Sequence, residues 1–161
     1  MEIRLAADLQ PDSIVDGEGI RTVIWTQGCP HNCKGCHNPG THDFNGGFLV
    51  DVDEVIEELK NLEGQDGITL SGGDPMCQSE ACLEICKAAK ELGLNVWCYT
   101  GFTYEKILNN PKQRALLQYI DVARPLIVKN APVQELTESS PVFINNTASG
   151  PPIQLLVSTT P

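Results

Sequence analysis

Three cysteines lie close together in the first quarter of the chain. Cys29, Cys33 and Cys36 have a Cys-x3-Cys-x2-Cys spacing, so their thiolates can all reach one metal centre. A structural zinc site usually has four ligands, often in two separated Cys-x2-Cys pairs, and no second pair occurs at that spacing. A 4Fe–4S cluster held by three thiolates keeps one iron open for a reactant. The residues alone leave a structural metal loop or three unrelated thiols as the alternatives.

This spacing resembles the cysteine motif of the radical S-adenosylmethionine (SAM) enzymes. The resemblance implies a 4Fe–4S cluster held by Cys29, Cys33 and Cys36, with the amino and carboxylate groups of SAM on the fourth iron. An electron passed through the cluster would cleave SAM to methionine and a 5′-deoxyadenosyl radical. Many members have an aromatic residue before the last cysteine, whereas this chain has Gly35. The resemblance also implies SAM contacts by Gly35, Cys36 and His37, and no histidine is expected as a metal ligand.

A glycine-rich turn at residues 71–75, Ser-Gly-Gly-Asp-Pro, follows the apolar run at 68–70. Two glycines at a strand end let the backbone approach a ligand closely, and proline prevents regular continuation. A plain turn is the alternative. Radical SAM enzymes have a Gly-Gly-Glu type motif here, and the Gly-Gly-Asp-Pro form resembles that of the activators of anaerobic ribonucleotide reductase. The resemblance therefore adds Gly72, Gly73 and Asp74 to the expected SAM contacts.

Residues 16–21, Asp-Gly-Glu-Gly-Ile-Arg, resemble a motif of the glycyl-radical activating enzymes. These enzymes abstract hydrogen from a backbone glycine of a partner. The chain most resembles the activators of anaerobic (class III) ribonucleotide reductase, which implies the large subunit of that reductase as partner and a flavodoxin or ferredoxin type reductant. Arg21 is expected either to be a surface strand residue or to orient a carboxylate of SAM or of a neighbouring acid.

Three alternative functions stay open at this point. The chain could activate pyruvate formate-lyase or another glycyl-radical enzyme, although its short length and Gly-Gly-Asp-Pro turn disfavour this. A small-molecule radical SAM enzyme, such as a deazaguanine synthase, should show extra substrate-binding residues, and none is found. A non-catalytic iron–sulfur or zinc protein would normally have a fourth ligand.

The secondary-structure pattern places these motifs on successive strand ends. Apolar and β-branched runs predict four strands, at 20–26, 68–70, 95–101 and from 120. Apolar residues at helical spacing predict four helices, at 51–62, 78–92, 104–108 and 112–119. This alternation indicates an α/β fold with mostly parallel strands. Since 161 residues are too few for eight βα units, we expect a partial, open (β/α) barrel of the radical SAM type. Thr100 and Gly101 would share the rim that carries the motifs.

A second group of cysteines lies around the predicted second helix. Cys82 and Cys86 fall on its inward face, where free cysteine packs as a small hydrophobe. A second metal site is the less favoured alternative. Cys77, beside the Gly-Gly turn, is the member of this group expected nearest the active site.

Composition narrows the class of protein further. The net charge of −10 argues against nucleic-acid binding, which needs a basic face. An odd count of seven cysteines without a secretory signal suggests reduced thiols in a cytoplasm, and no apolar segment is long enough for a membrane span.

The sequence changes character near residue 122. We expect a radical SAM domain over 1–122 and an atypical Pro/Ser/Thr-rich tail over 123–161, disordered or out of frame. The reductase activators would be expected to have a Val-Asp-Gly element on the last strand, followed by an Arg-Gly-Ser-Ser-Asn segment, and neither occurs.

Overall fold

The structure, a computed structural model, describes residues 1–125 and the backbone of residues 142–144 and 154–156. Within these residues the strands form one sheet. The strands are β1 Glu2–Leu5, β2 Gln10–Ser13, β3 Arg21–Thr26, β4 Phe48–Asp51, β5 Gly67–Gly72, β6 Asn95–Thr100, β7 Val122–Pro125, β8 Val142–Ile144 and β9 Gln154–Leu156. The helices are α1 Val52–Asn61, α2 Ser79–Glu91, α3 Tyr104–Asn109 and α4 Pro111–Leu117.

The centre of the sheet is parallel, with β3, β5, β6 and β7 as neighbours in that order. The register pairs Thr26 with Gly72 and Thr100 with Pro125, so the carboxyl ends of these strands meet at one edge. The outer pairs, formed by β1, β2 and β4 on one side and β8 and β9 on the other, are antiparallel. The predicted open, partial α/β barrel is confirmed, with its parallel strands at the centre.

The core lies between one face of the central strands and the helices. Inward-facing residues of the strands, such as Ile24, Leu70 and Val96, are fully buried. Helix α1 begins at Asp51, whose side chain accepts a hydrogen bond from the Asp53 backbone N–H and caps the helix. Helix α2 buries one face, as its apolar spacing predicts. Each fully buried aliphatic side chain contributes roughly 1.5–3 kcal/mol to stability.

The predicted helices and central strands are confirmed with small shifts at their ends. The strand expected from residue 120 begins at Val122, because Ile120 still belongs to the turn that closes α4. Strand β2 is absent from the prediction, since its sequence Gln-Pro-Asp-Ser has no alternating apolar pattern. Strand β4, which pairs with β1, is also absent from it.

The proposed boundary at residue 122 falls at the first residue of β7. Most of the tail predicted over 123–161 lies outside the described residues, and its expected disorder or altered frame stays a prediction. Within the part of the chain that is described, none of the helices combines the length and apolar composition that crossing a bilayer would require.

Candidate functional site

Three segments, the cysteine loop, the Gly-Gly turn and the end of β6, meet at the carboxyl edge of the parallel strands. The cysteine loop follows β3, the Gly-Gly turn ends β5, and Gly101 follows β6. One pocket is lined by residues of all three segments, namely Cys29, His31, Cys33, Cys36, His37, Asn38, Thr41, His42, Gly72, Gly73 and Gly101. The fold therefore brings together the three cysteines and the two glycines that sequence reasoning singled out. Gly35 and Asp74 do not line the pocket; Gly35 is an exposed neighbour of Cys36.

Backbone hydrogen bonds hold the cysteine loop to the segment that follows it. The Gly28 N–H donates to the Thr41 carbonyl at 2.7 Å, and the Cys29 N–H donates to the His42 carbonyl at 3.2 Å. The three thiols themselves are half-buried, so they are anchored by their backbone and still reach the pocket. The Asn38 N–H lies 3.4 Å from the Cys36 sulfur, and hydrogen bonds of this kind tune the potential of a metal-bound thiolate.

Gly35 takes a backbone conformation that suits glycine. Its φ is +74°, in the left-handed region, and a Cβ atom there would meet nothing within 4 Å. Backbone geometry, not lack of space, therefore disfavours at this position the aromatic residue found in many radical SAM enzymes. The predicted contact of Gly35 and His37 with SAM stays a prediction.

The Gly-Gly turn is packed backbone to backbone against the start of the cysteine loop. The Gly73 N–H donates to the Thr26 carbonyl at 2.7 Å, and the Asp74 N–H donates to the Gly28 carbonyl at 2.8 Å. A Cβ atom on Gly72 or Gly73 would lie well under 3.0 Å from the carbonyl oxygens of Thr26 or Gly28. Close backbone packing thus explains why glycine occupies both positions, without any ligand. The predicted contact of both glycines with SAM stays a prediction.

Asp74 is fully buried, and its carboxylate accepts hydrogen bonds from three segments. Its partners are His31 Nε2 at 2.6 Å, the Gly101 N–H at 2.8 Å, Thr100 Oγ1 at 2.9 Å and the Met76 N–H at 3.0 Å. Its own backbone N–H and carbonyl are also used inside the protein. This geometry makes the carboxylate a junction between strand ends, and the predicted contact of Asp74 with SAM stays a prediction.

His31 is a pocket residue to which sequence reasoning gave no role, as are Asn38 and Thr41. Its ring lies between Asp74 and Phe102, with an edge-to-face contact to Phe102 at a centroid distance of 4.6 Å. The sequence shows a histidine inside the cysteine loop, but no spacing rule connects residue 31 to residue 74. Only the parallel pairing of β3 with β5 brings the two side chains together.

Arg21 is not a surface residue, so that expectation is wrong, whereas the expectation that it orients a carboxylate of SAM or of a neighbouring acid stays a prediction. Its guanidinium is fully buried and donates to Thr69 Oγ1 at 2.8 Å and to the carbonyls of Ile68 and Glu18 at 2.7 and 2.8 Å. It also lies 5.3 Å from the ring centroid of Trp97. Burial lowers the pKa of Arg21 from its ordinary value. This side chain ties the loop before β3 to the sheet.

The two cysteines of helix α2 are packing residues. Burial raises the pKa of Cys82 to about 12 and that of Cys86 well above its ordinary value, and both lie on the inward face of α2 as predicted. Metal ligation needs the thiolate, so such thiols are poor ligands. Burial also raises the pKa of half-buried Cys77 to about 12. Cys77 lines a separate cavity of about 570 Å³.

The donor set fits a 4Fe–4S cluster. Among the described residues, no three His, Cys, Asp or Glu side chains converge tightly enough for a single metal ion. A cluster needs a wider arrangement, because each thiolate binds a different iron. Three half-buried thiols lining one pocket supply that donor chemistry. The glycines across the pocket present backbone without side chains.

Comparisons with known proteins agree with this site. A family model described as the 4Fe–4S single cluster domain matches residues 15–146. The chain is 33% identical over 141 residues to the anaerobic ribonucleoside-triphosphate reductase-activating protein of Haemophilus influenzae, covering 83% of this chain and 87% of that protein. It is 37% identical over 106 residues to the pyruvate formate-lyase-activating enzyme of Clostridium pasteurianum, covering 60% and 44% respectively.

A solved structure supports the fold. The crystal structure of QueE from Escherichia coli is similar with a TM-score of 0.52 at 13% identity, over 63% of this chain and 53% of that one. At that identity the likeness concerns the fold alone. It agrees with an open sheet whose central strands are parallel.

Proposed function

Because the chain belongs to the family of anaerobic ribonucleoside-triphosphate reductase-activating proteins, we propose that it activates such a reductase by generating a glycyl radical on it. One observation carries the proposal. The Cys-x3-Cys-x2-Cys loop and the Gly-Gly turn line a single pocket at the carboxyl edge of an open parallel sheet. Ligands bind at this edge in α/β folds, and the comparisons concern the same stretch of chain.

The proposed roles follow from the geometry. Cys29, Cys33 and Cys36 would hold a 4Fe–4S cluster through three of its irons. When bound, the cluster and SAM supply the electron transfer and the hydrogen abstraction. The chain supplies the thiolates, a rim that orients SAM, and partial exclusion of water. Among the rim residues we assign SAM contact to Gly35, His37 and the Gly-Gly turn, with Asp74 acting through its neighbours.

A protein substrate suits the open sheet. A glycine of another protein can approach the carboxyl edge only if it arrives on a loop, and the sheet is not closed around that edge. We propose the large subunit of the reductase as this partner. A flavodoxin or ferredoxin type protein is the proposed reductant. The seven cysteines form no disulfide, which suits a reducing cytoplasm.

The test is anaerobic reconstitution with iron and sulfide, followed by electron paramagnetic resonance of the reduced protein with and without SAM. We expect a 4Fe–4S spectrum that changes when SAM is added. On addition of the reductase large subunit, a doublet glycyl-radical spectrum should form on that subunit. Deoxyadenosine production without any radical on the partner would contradict the proposal.

Activation of pyruvate formate-lyase is the second candidate, supported by the similarity to the Clostridium pasteurianum enzyme. The chain spans less than half the length of that enzyme, whereas it spans most of the reductase-activating protein. Offering both partners to the same reduced, SAM-loaded protein separates the two functions. The candidate whose substrate acquires the radical is the correct one.

A further inference from the structure

The buried carboxylate of Asp74 connects the three segments that form the pocket. Its Oδ2 accepts from His31 in the cysteine loop and from the Gly101 N–H after β6, and its Oδ1 accepts from Thr100 and from the Met76 N–H. A charge out of contact with water is costly unless hydrogen bonds satisfy it. Four donors satisfy this one, so the junction is complete without any added group.

The ring of His31 has little freedom. Its side chain is 12% exposed, its Nε2 is bound to Asp74, and its ring makes an edge-to-face contact with the Phe102 ring at an interplanar angle of 75°. A Cβ atom on Gly101 would overlap the ring, so this glycine leaves the space that the ring fills. His31 stands midway between Cys29 and Cys33 in sequence. The orientation of its ring therefore constrains the loop that carries both thiols.

We propose that Asp74 is a positioning residue that, through His31, fixes the cysteine loop against the Gly-Gly turn and the end of β6. The inference rests on the proposed function, because it assigns the junction to the alignment of the cluster ligands with the SAM-binding rim. The carboxylate oxygens of Asp74 are already occupied by four donors within the protein. Its effect passes through the ring of His31 and the backbone of the rim.

The experiment compares Asp74→Ala and Asp74→Asn with His31→Ala and His31→Gln. After anaerobic reconstitution, three quantities are measured: iron per chain, the SAM-induced change of the paramagnetic resonance spectrum, and the KM for SAM separately from kcat in deoxyadenosine production. We expect KM to rise about 10- to 100-fold in the alanine variants, the usual range for losing a hydrogen bond to a charged group. The SAM-induced spectral change should shrink in parallel.

The conservative variants distinguish positioning from simple stability. Gln at position 31 keeps an N–H donor for Asp74, and Asn at position 74 keeps one acceptor oxygen, so both should recover part of the SAM response. Asp121→Asn is the matched control, because Asp121 accepts from the Val96 N–H and pairs with Lys90 at the opposite end of β6. Its KM for SAM should equal that of the wild type even where its thermal stability falls.

Each outcome is decisive. Wild-type KM and a wild-type SAM response in both alanine variants would overturn the inference. If Asp74→Ala does not fold, the two His31 variants provide the test. A SAM response that is partly restored in His31→Gln relative to His31→Ala supports the inference, and an equal loss of the SAM response in both variants overturns it. Failure of the proposed function looks different, since the wild-type protein would then show no SAM-dependent spectrum or no radical on the partner.

Discussion

The molecule contains cysteines in two environments, and the difference between these environments distinguishes the proposed metal ligands from the cysteines that pack in the core. The loop thiols Cys29, Cys33 and Cys36 are half-buried on one pocket, in a segment without regular secondary structure. Cys82 and Cys86 are fully buried on a helix whose apolar spacing already accounts for them. The chemical group is the same in both places. Spacing, exposure and the neighbouring backbone decide what it can do.

The largest expected effect is loss of a loop thiol. Cys33→Ala, or the same change at Cys29 or Cys36, should prevent assembly of an intact 4Fe–4S cluster, because the remaining two thiolates cannot hold three irons. Deoxyadenosine production should fall to background. Iron analysis and paramagnetic resonance after reconstitution measure both quantities. Full iron content in any of these variants would break the assignment of the loop as the cluster site.

Reaction with iodoacetamide should separate the two groups of thiols in the metal-free protein. Burial raises the pKa of Cys82 to about 12 from an ordinary value of 9.0, so it remains a neutral, unreactive thiol at pH 8. The loop cysteines are more exposed than Cys82, but burial also raises the pKa of Cys29, so Cys33 and Cys36 should be modified first. Peptide mass spectrometry at successive times gives the order. Cys77 tests whether exposure or pKa governs the reaction, because it is half-buried and yet its pKa is also raised to about 12.

The same shift has a consequence for stability. A buried thiol whose pKa is raised in the folded state holds its proton more tightly than in the unfolded chain. For Cys82, the contribution of this bound proton to the free energy of unfolding is complete below pH 9.0 and is lost as the pH rises toward about 12. Urea unfolding at pH 8, 9.5 and 10.5 should therefore show a falling free energy of unfolding. Cys82→Ala should show a shallower decline, and an identical slope in both proteins would contradict this account.

Much of the site could be predicted because it depends on short-range sequence. The cysteine spacing, the Gly-Gly turn after an apolar run and the helical spacing of Cys82 and Cys86 are all local patterns. The contacts of Arg21 and Asp74 could not be predicted, since their partners lie across the sheet. Asp74 meets His31 through strand register, and Arg21 meets carbonyl groups that every residue possesses. Sequence patterns report periodicity and spacing, whereas these contacts depend on which strands become neighbours.

A more moderate effect is expected at the Gly-Gly turn. Gly73→Ala places a Cβ against the carbonyl of Gly28, where backbone must shift, and such overpacking typically costs about 1–3 kcal/mol. Because the turn is hydrogen-bonded to the start of the cysteine loop, a shift of the turn displaces that loop, and SAM affinity should fall as well. Gly93→Ala is the matched control, with φ +78° and nothing within 4 Å of its Cβ. Gly93→Ala should lower the free energy of unfolding by roughly 1 kcal/mol, because of backbone strain, and should leave SAM affinity unchanged.

The smallest expected effect is at Cys82. Cys82→Ala removes one buried sulfur from the face of α2 and should lower the free energy of unfolding by roughly 1–2 kcal/mol, the cost of a small cavity. Iron content and the SAM response should match the wild type, since the side chain is buried in the core and absent from the pocket. Chemical denaturation of the metal-free protein and iron analysis of the reconstituted protein give the two numbers. If Cys82→Ala lost iron as completely as Cys33→Ala, the two environments would not differ in function and a second metal site would be required.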